Sequence, residues 1–83
     1  MVVEISNHAR EQMAERGASE AEVILTIEKG ESESARKNRK LFKKNFQFTG
    51  NWRGRHYNIK QVAPIVAYEG DKLIVVTVFV FYF

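Results

Sequence analysis

Residues 73–83 read Leu-Ile-Val-Val-Thr-Val-Phe-Val-Phe-Tyr-Phe, a run in which Thr77 is the only residue that is neither aliphatic nor aromatic. β-Branched and aromatic residues in such a run favour a strand. The run is also shorter than the ~20 apolar residues that a membrane-spanning helix requires, so we expect no membrane segment. A strand this apolar needs cover on both faces, which predicts a central position in a sheet, with helices on one face and side chains or a partner on the other.

The segment before this run predicts a β-hairpin, because Gly70-Asp71 is typical of a two-residue turn. The numbers of facing residues then sum to 141, as in Glu69–Lys72, Val66–Val75, Val62–Phe79 and Lys60–Phe81. In this register Lys60 and Thr77 lie on the same face of the sheet. Pro64 has no amide hydrogen, and a bulge at that point reverses the faces on one side of it.

Two helices are predicted near the start of the chain. The first is capped by Ser6 or Asn7 and runs to Arg16, where Gly17 in the left-handed conformation ends it. The second begins with Ser19 and Glu22, which have the spacing of a capping box, and also ends at a glycine. Their apolar residues recur at helical spacing, so the two helices form a hairpin with one apolar side.

The rest of the chain predicts a sheet. Residues 2–5 indicate either a short strand or a hydrophobic staple for the first helix. From about residue 39 apolar residues alternate with a period of two, and residues 50–54 predict a turn between strands. The expected fold class is α+β, in which an N-terminal helical hairpin packs on an antiparallel sheet of three to five strands. Residues 1–83 are expected to form one domain.

Charge is distributed unevenly along the chain, although the total is only +3. Residues 1–35 hold three basic and eight acidic residues, whereas residues 36–60, which we call the basic segment, hold nine basic residues and no acidic one. Cations with aromatic residues between them favour contact with the phosphates and bases of nucleic acid. The alternative is a solvated sheet face with its aromatic residues packed underneath.

The residue inventory restricts the chemistry. The chain has no cysteine, which excludes disulfides, zinc–thiolate sites and cysteine nucleophiles and makes the cytoplasm the expected compartment. Its single aspartate lies in a predicted turn, and its two histidines are far apart in the sequence. We therefore expect neither a bound metal nor another cofactor.

RNA can be cleaved without a metal, because the ribose 2′-hydroxyl attacks the neighbouring phosphate once a side chain removes its proton. His8 is a candidate for that acid–base role, since histidine titrates near neutral pH and this one lies at the start of a predicted helix. Lys60 is a candidate to neutralise phosphate, and His56 is a reserve acid–base candidate. Each also has an ordinary structural explanation as a polar first-turn or surface residue.

Two stretches, residues 5–23 (ISNHAREQMAERGASEAEV) and residues 74–79 (IVVTVF), resemble the small prokaryotic family called domain of unknown function 4258. Its signature combines His-Ala, Arg-Met and Glu-Arg-Gly-Ile-Ser with a closing Val-Val-Thr-Val-aromatic strand. Gln12 stands where the family usually has arginine, and Ala18 where it has isoleucine. The family is similar to RelE/ParE-type toxins and the barnase-like ribonuclease fold, which implies a RelE-like domain with an RNA-cleaving sheet face.

The resemblance implies the site residues His8, Arg16, Lys60 and Thr77. The leading hypothesis is a toxin-like, metal-independent endoribonuclease in which His8 is the general acid or base and the other three contact phosphate or orient His8. The residues expected to guide RNA are Lys40, Lys43, Lys44, Trp52, Arg53 and Arg55.

Further expectations concern partners. A toxin implies an acidic antitoxin that covers the basic segment or adds a strand to the sheet, and the apolar last strand also suggests a homodimer. The alternative function is a non-catalytic nucleic-acid- or protein-binding module of the same fold. The two functions differ in geometry, because only the enzyme requires His8, Lys60 and Thr77 to converge on one concavity.

Overall fold

The computed structural model describes residues 2–83. Its elements, in chain order, are β1 (Val2–Ile5), α1 (Asn7–Arg16), α2 (Glu20–Lys29), β2 (Glu31–Ala35), β3 (Arg39–Trp52), β4 (Arg55–Glu69) and β5 (Lys72–Tyr82). The strands form one sheet in the order β1-β5-β4-β3-β2. The α+β class and the helical hairpin are therefore confirmed.

Both helices begin with the predicted caps. At the start of α1 the Ser6 hydroxyl accepts a hydrogen bond from the Ala9 amide at 3.1 Å, and Gly17 follows α1 with a φ of 82°. At the start of α2 the Ser19 hydroxyl accepts from the Glu22 amide, while the Glu22 carboxylate accepts from the Ser19 amide. These caps satisfy amides that a helix leaves without partners in its first turn.

The sheet is mixed, which corrects the expected antiparallel arrangement. β1 runs parallel to β5, with Val2 opposite Lys72 and Ile5 opposite Val75, whereas the other strand pairs are antiparallel. The parallel pairing follows from the order of elements, because the whole helical hairpin separates β1 from the remaining strands.

Strand β2 is an element that the sequence did not predict. Its residues Glu-Ser-Glu-Ser-Ala have no apolar alternation, yet they pair with the first part of β3. The turn between the two strands includes Lys37 and Asn38, both with φ near 60°. The turn between β3 and β4 is shorter than predicted: only Arg53-Gly54 separates the strands, and both residues have positive φ, as in a type I′ hairpin.

The β4–β5 hairpin follows the predicted register only near its turn. Glu69 faces Lys72 as predicted, but Ile65 faces Thr77 because Val76 is an extra residue in β5. The resulting bulge lies beside Pro64, where a ladder hydrogen bond is lost. Since side chains alternate along a strand, Lys60 and Thr77 lie on opposite faces, and the expectation that they share one was wrong.

Both helices pack on the same face of the sheet, which we call the covered face; the opposite side is the open face. The core of the covered face consists of Ala9, Met13, Val23, Val62, Val66, Leu73, Val75 and Val78. Complete burial of a valine, leucine or methionine side chain contributes roughly 1.5–3 kcal/mol to the free energy of unfolding. The expected central position of β5 is correct only for Lys72–Val75, because β1 pairs with these four residues alone and the rest of β5 has a strand on one side only.

Candidate nucleic-acid interface

Lys60 is part of the covered face and is only 8% exposed. Its Nζ atom donates to the Gly17 carbonyl oxygen at 2.9 Å and lies 2.9 Å from Oε1 and 2.8 Å from Oε2 of Glu22. Lys60 thus donates to the Gly17 carbonyl oxygen and to the Glu22 carboxylate, and its burial leaves little of the ammonium group accessible to a ligand. Lys60 therefore connects β4 to the loop between α1 and α2, through Gly17, and to α2 itself, through Glu22.

Burial, together with hydrogen bonds and charges around this ion pair, shifts two pKa values. Burial raises the pKa of Glu22, but hydrogen bonds from Lys60 and the Ser19 amide, with the charge of Lys60, outweigh it and hold the pKa below the usual value. Burial and the Glu22 carboxylate raise the pKa of Tyr82, against an opposing effect of Arg53. The hydroxyl of Tyr82 donates to the Arg16 carbonyl oxygen at 2.7 Å, so a neutral tyrosine is part of the same structure.

Trp52 packs against this region. Its ring stacks on Tyr82 with 5.0 Å between centroids, and Tyr57 and Phe48 also contact Tyr82. The guanidinium of Arg53 lies 5.4 Å from the Trp52 ring centroid and also donates to the Glu15 carbonyl oxygen. One ring face of Trp52 is thus covered by Tyr82. This agrees with the alternative prediction, in which the aromatic residues of the basic segment pack under the sheet face instead of binding a base.

Arg16 and Gln12 bind the exposed edge of β5. Arg16 Nη1 donates to the Val78 carbonyl oxygen at 2.7 Å, and Gln12 Oε1 accepts from the Val78 amide at 2.8 Å. Together they satisfy both main-chain groups of Val78, where β1 no longer pairs with β5. The Arg16 guanidinium also lies 5.4 Å from the ring centroid of Phe79.

The four predicted catalytic residues do not converge. His8 is exposed in the first turn of α1, whereas Lys60 contacts Gly17 beyond the other end of that helix. At 1.5 Å per residue the length of α1 separates these positions by roughly 13 Å. Thr77 lies on the open face near Phe79, so Arg16 and Thr77 are in the same region while Lys60 is on the other side of the sheet.

The basic segment is almost free of ion pairs. Within residues 2–83 the salt bridges are Arg10–Glu20, Lys60–Glu22 and Lys72–Glu4. The other eight cations of the segment therefore have no carboxylate within 4.0 Å in this part of the chain. They are Arg36, Lys37, Arg39, Lys40, Lys43, Lys44, Arg53 and Arg55. All five cations of the predicted RNA-guiding set belong to this group.

Polar and aromatic side chains form a row across the open face. Asn45 of β3 faces Gln61 of β4, and Gln61 faces Phe81 of β5. Gln61 Nε2 donates to Asn45 Oδ1 at 2.9 Å. Lys43 is two residues before Asn45 and lies on the same face, as does Phe79 two residues before Phe81.

The surface has two depressions lined by cations, and the first of them adjoins this row. One has a volume of about 200 Å³ and is lined by Lys29, Gly30, Glu31, Lys43, Lys44, Asn45 and Gln61. The other, of about 490 Å³, is lined by Ala35, Arg36, Lys37, Arg39 and Ile65. Glu31 is the only acidic residue in either lining, so both depressions suit an anionic ligand.

A family model described as "Domain of unknown function (DUF4258)" matches residues 5–80. The chain belongs to this family. No curated protein and no solved structure matches it. Membership of DUF4258 confirms the family resemblance that the helical hairpin and last strand indicated, and the similarity to RelE/ParE-type toxins stays a prediction.

Two further findings on this DUF4258 domain concern metal ions and membranes. No group of three or more His, Asp or Glu side chains among residues 2–83 is arranged to hold a metal ion. In the same part of the chain, neither helix has the length and apolar character needed to cross a membrane.

Sequence reasoning missed the row on the open face. Asn45, Gln61, Phe79 and Phe81 were not chosen, because the predicted register placed Phe81 opposite Lys60 and left Gln61 without an aromatic partner. The available signal was Pro64, which marks the position near which the register shifts. Lys29 was also missed, since only the fold brings the end of α2 beside β3.

Proposed function

We propose that this protein binds nucleic acid, with RNA as the expected ligand, through the cations of β3 and of the turns at its two ends. The observation that carries the proposal is that eight cations of the basic segment have no carboxylate partner within residues 2–83. The cations within β3 lie among its first six residues, 39–44, which span roughly 17 Å at 3.3 Å per residue, and Arg53 and Arg55 follow its other end. Phosphates neutralise such a row and release counterions when they bind.

Binding is favoured over catalysis because two predicted catalytic residues already hold the fold together. Lys60 is surrounded by Gly17 and Glu22, and Arg16 is bonded to the Val78 carbonyl group. A phosphate bound at either cation has to replace these contacts. Among residues 2–83, seven of the eight cations without a carboxylate partner make no side-chain hydrogen bond that a phosphate would replace; the exception is Arg53, which donates to the Glu15 carbonyl oxygen.

The test is fluorescence anisotropy with a fluorescein-labelled single-stranded RNA, titrated between about 50 and 200 mM salt. Wild-type protein should bind with an affinity that falls steeply as salt rises. The double variant Lys43→Ala/Lys44→Ala should bind more weakly and lower the slope of the salt dependence by about 0.7 for each lost phosphate contact. The matched control is Arg10→Ala, an exposed cation on α1 outside the basic segment.

Binding that the Lys43→Ala/Lys44→Ala variant retains in full, with an unchanged salt slope, would exclude β3 as the binding strand. A folded wild-type protein that does not bind at the lowest salt would overturn the proposal as a whole.

A second candidate is the toxin-like endoribonuclease, which the position of His8 favours. This side chain is exposed and makes no hydrogen bond to any other residue of 2–83, so it is free to meet a substrate. In that reaction the 2′-hydroxyl attacks the adjacent phosphate, the 5′-oxygen leaves with a proton, and a cyclic phosphate remains. The test is incubation of the same RNA with wild-type protein and His8→Ala in EDTA; intact RNA with both leaves the binding function alone.

The acidic antitoxin and the relation to RelE/ParE-type toxins belong to this second candidate. An acidic protein would neutralise the same eight cations, so it should compete with RNA for β3. A homodimer through the exposed phenylalanines of β5 is a separate proposal, which sedimentation measurements can test.

A further inference from the structure

We infer that the open face binds single-stranded nucleic acid, with a base stacked on Phe81, base edges at Gln61 and Asn45, and phosphate at Lys43. The inference rests on the proposed function and extends it, because it selects a face of the sheet and a class of ligand. Three independent features carry it: exposed aromatic rings and an amide pair on the open face, and a cation-lined depression at the edge of β3 that the same amide pair also lines.

The first feature is the pair of phenylalanines on β5. Phe79 is 38% exposed and Phe81 is 46% exposed, and their rings are nearly parallel, with 6.3 Å between centroids and 19° between planes. Phe79 contacts Arg16 on the protein side, whereas Phe81 has no second ring or cation against it among residues 2–83. Phe81 is therefore the more available surface for a base, and stacking of this kind tolerates any base.

The second feature is the amide pair beside Phe81. The hydrogen bond from Gln61 Nε2 to Asn45 Oδ1 fixes the two side chains in the row that ends at Phe81. It leaves the Asn45 amino group and the Gln61 carbonyl oxygen without partners among residues 2–83, so a donor and an acceptor remain for a base edge or a ribose hydroxyl.

The third feature is the depression at the β3 end of this row. It brings Lys29, Lys43 and Lys44 together with one carboxylate, that of Glu31, which is a net charge of +2. Two strand spacings, roughly 10 Å, separate β3 from β5. A nucleotide stacked on Phe81 can thus direct its phosphate toward the lysines across the amide pair.

The ligand should be single-stranded because the rings need a free base face. In a duplex the faces of the bases are covered by their neighbours, and double-stranded RNA is recognised mainly through its shape and its backbone. An exposed ring on a sheet adds nothing to that kind of contact. The eight unpaired cations provide the charge complementarity that favours nucleic acid over an apolar partner.

The experiment compares anisotropy titrations of a fluorescein-labelled uridine 12-mer and a 12-base-pair RNA duplex at one salt concentration. Phe81→Ala should weaken binding of the 12-mer by roughly 5- to 100-fold, and Phe79→Ala by less, with little change for the duplex. Phe81→Leu retains apolar packing without a ring face and should behave like Phe81→Ala. The control is Tyr68→Ala, which removes a 43% exposed aromatic residue whose strand partner, Leu73, belongs to the covered-face core.

A charge variant tests the depression separately. Glu31→Gln removes its one carboxylate and should raise affinity for the 12-mer, by up to about tenfold at low salt. An unchanged or lower affinity would show that no phosphate enters the depression.

The outcomes separate this inference from the proposed function. Salt-dependent binding that is equal in wild type, Phe81→Ala and Phe81→Leu would overturn the stacking face while leaving the basic strand in place. The absence of any binding by wild type would overturn both. If wild type is instead a dimer that Phe81→Ala converts to a monomer without loss of RNA affinity, the open face binds a second copy of the chain and the inference is wrong.

Discussion

The two faces of the sheet are built from the same strands, yet they differ in almost every physical respect. The covered face buries Val62, Val66, Val75 and Val78 completely, and residues 2–83 contain no buried side-chain nitrogen or oxygen without a hydrogen-bond partner. The open face leaves two phenylalanines exposed, and its Lys43 has no carboxylate partner within 4.0 Å in that part of the chain. Stability thus comes from one face, and the other is free for a ligand.

The comparison is sharpest for two lysines of the basic segment. Lys60 and Lys43 are both predicted contacts for phosphate, but Lys60 is bonded to Glu22 and Gly17 while Lys43 lines an open depression. A count of the cations in a sequence segment therefore overestimates the number that can contact a ligand. A cation on the covered face, such as Lys60, stabilises the fold instead.

The largest expected effect comes from placing a charge on each face in turn. Val66→Asp puts an unpaired carboxylate into the covered-face core, at a residue that is 0% exposed, and should cost more than about 4 kcal/mol, enough to prevent folding. Ile65→Asp, one residue earlier, puts the same charge beside Arg36 and Arg39 on the open face and should fold. Circular dichroism and thermal unfolding distinguish the two; similar losses in both variants would mean that the open face is also packed.

The next effect separates the two lysines. Lys60→Ala leaves the Glu22 carboxylate without its partner and should lower the free energy of unfolding by about 2–4 kcal/mol. Lys43→Ala should change it by less than about 0.5 kcal/mol but should weaken RNA binding. Urea denaturation and anisotropy of both variants give the comparison. A stable Lys60→Ala protein that no longer binds RNA would restore Lys60 as a ligand contact.

The sequence predicted local features well and long-range geometry less well. Ser6, Ser19 and Glu22 act within one helical turn, so their pattern is sufficient to place both helices. The position of Lys60 relative to Thr77 depends on the bulge at Val76, and one extra residue reverses every side chain beyond it. β2 was missed because its pairing comes from β3 and not from its own composition.

A smaller effect tests whether Arg16 and Gln12 are structural. Each bonds one main-chain group of Val78 at the edge of β5, so Gln12→Ala and Arg16→Ala should each reduce stability by about 1 kcal/mol. Thermal unfolding measures this loss, and hydrogen exchange at the Val78 amide should become faster in Gln12→Ala. Arg16→Ala that is as stable as wild type but defective in RNA cleavage would assign Arg16 to a reaction instead.

The smallest expected effect is a pH dependence on the covered face. The lowered pKa of Glu22 means that its contribution to stability is fully present above the unfolded-state value of about 4.3 and is lost as pH falls through the lower folded-state value. Other carboxylates titrate in the same range, so the useful quantity is the difference in unfolding free energy between wild type and Glu22→Gln. That difference should shrink between about pH 5 and pH 3, because protonated Glu22 resembles glutamine in charge. A difference that does not change with pH would mean that the charge of Glu22 does not interact with Lys60. The contact between them would then add nothing measurable to the free energy of unfolding, as is expected for a lysine on the open face.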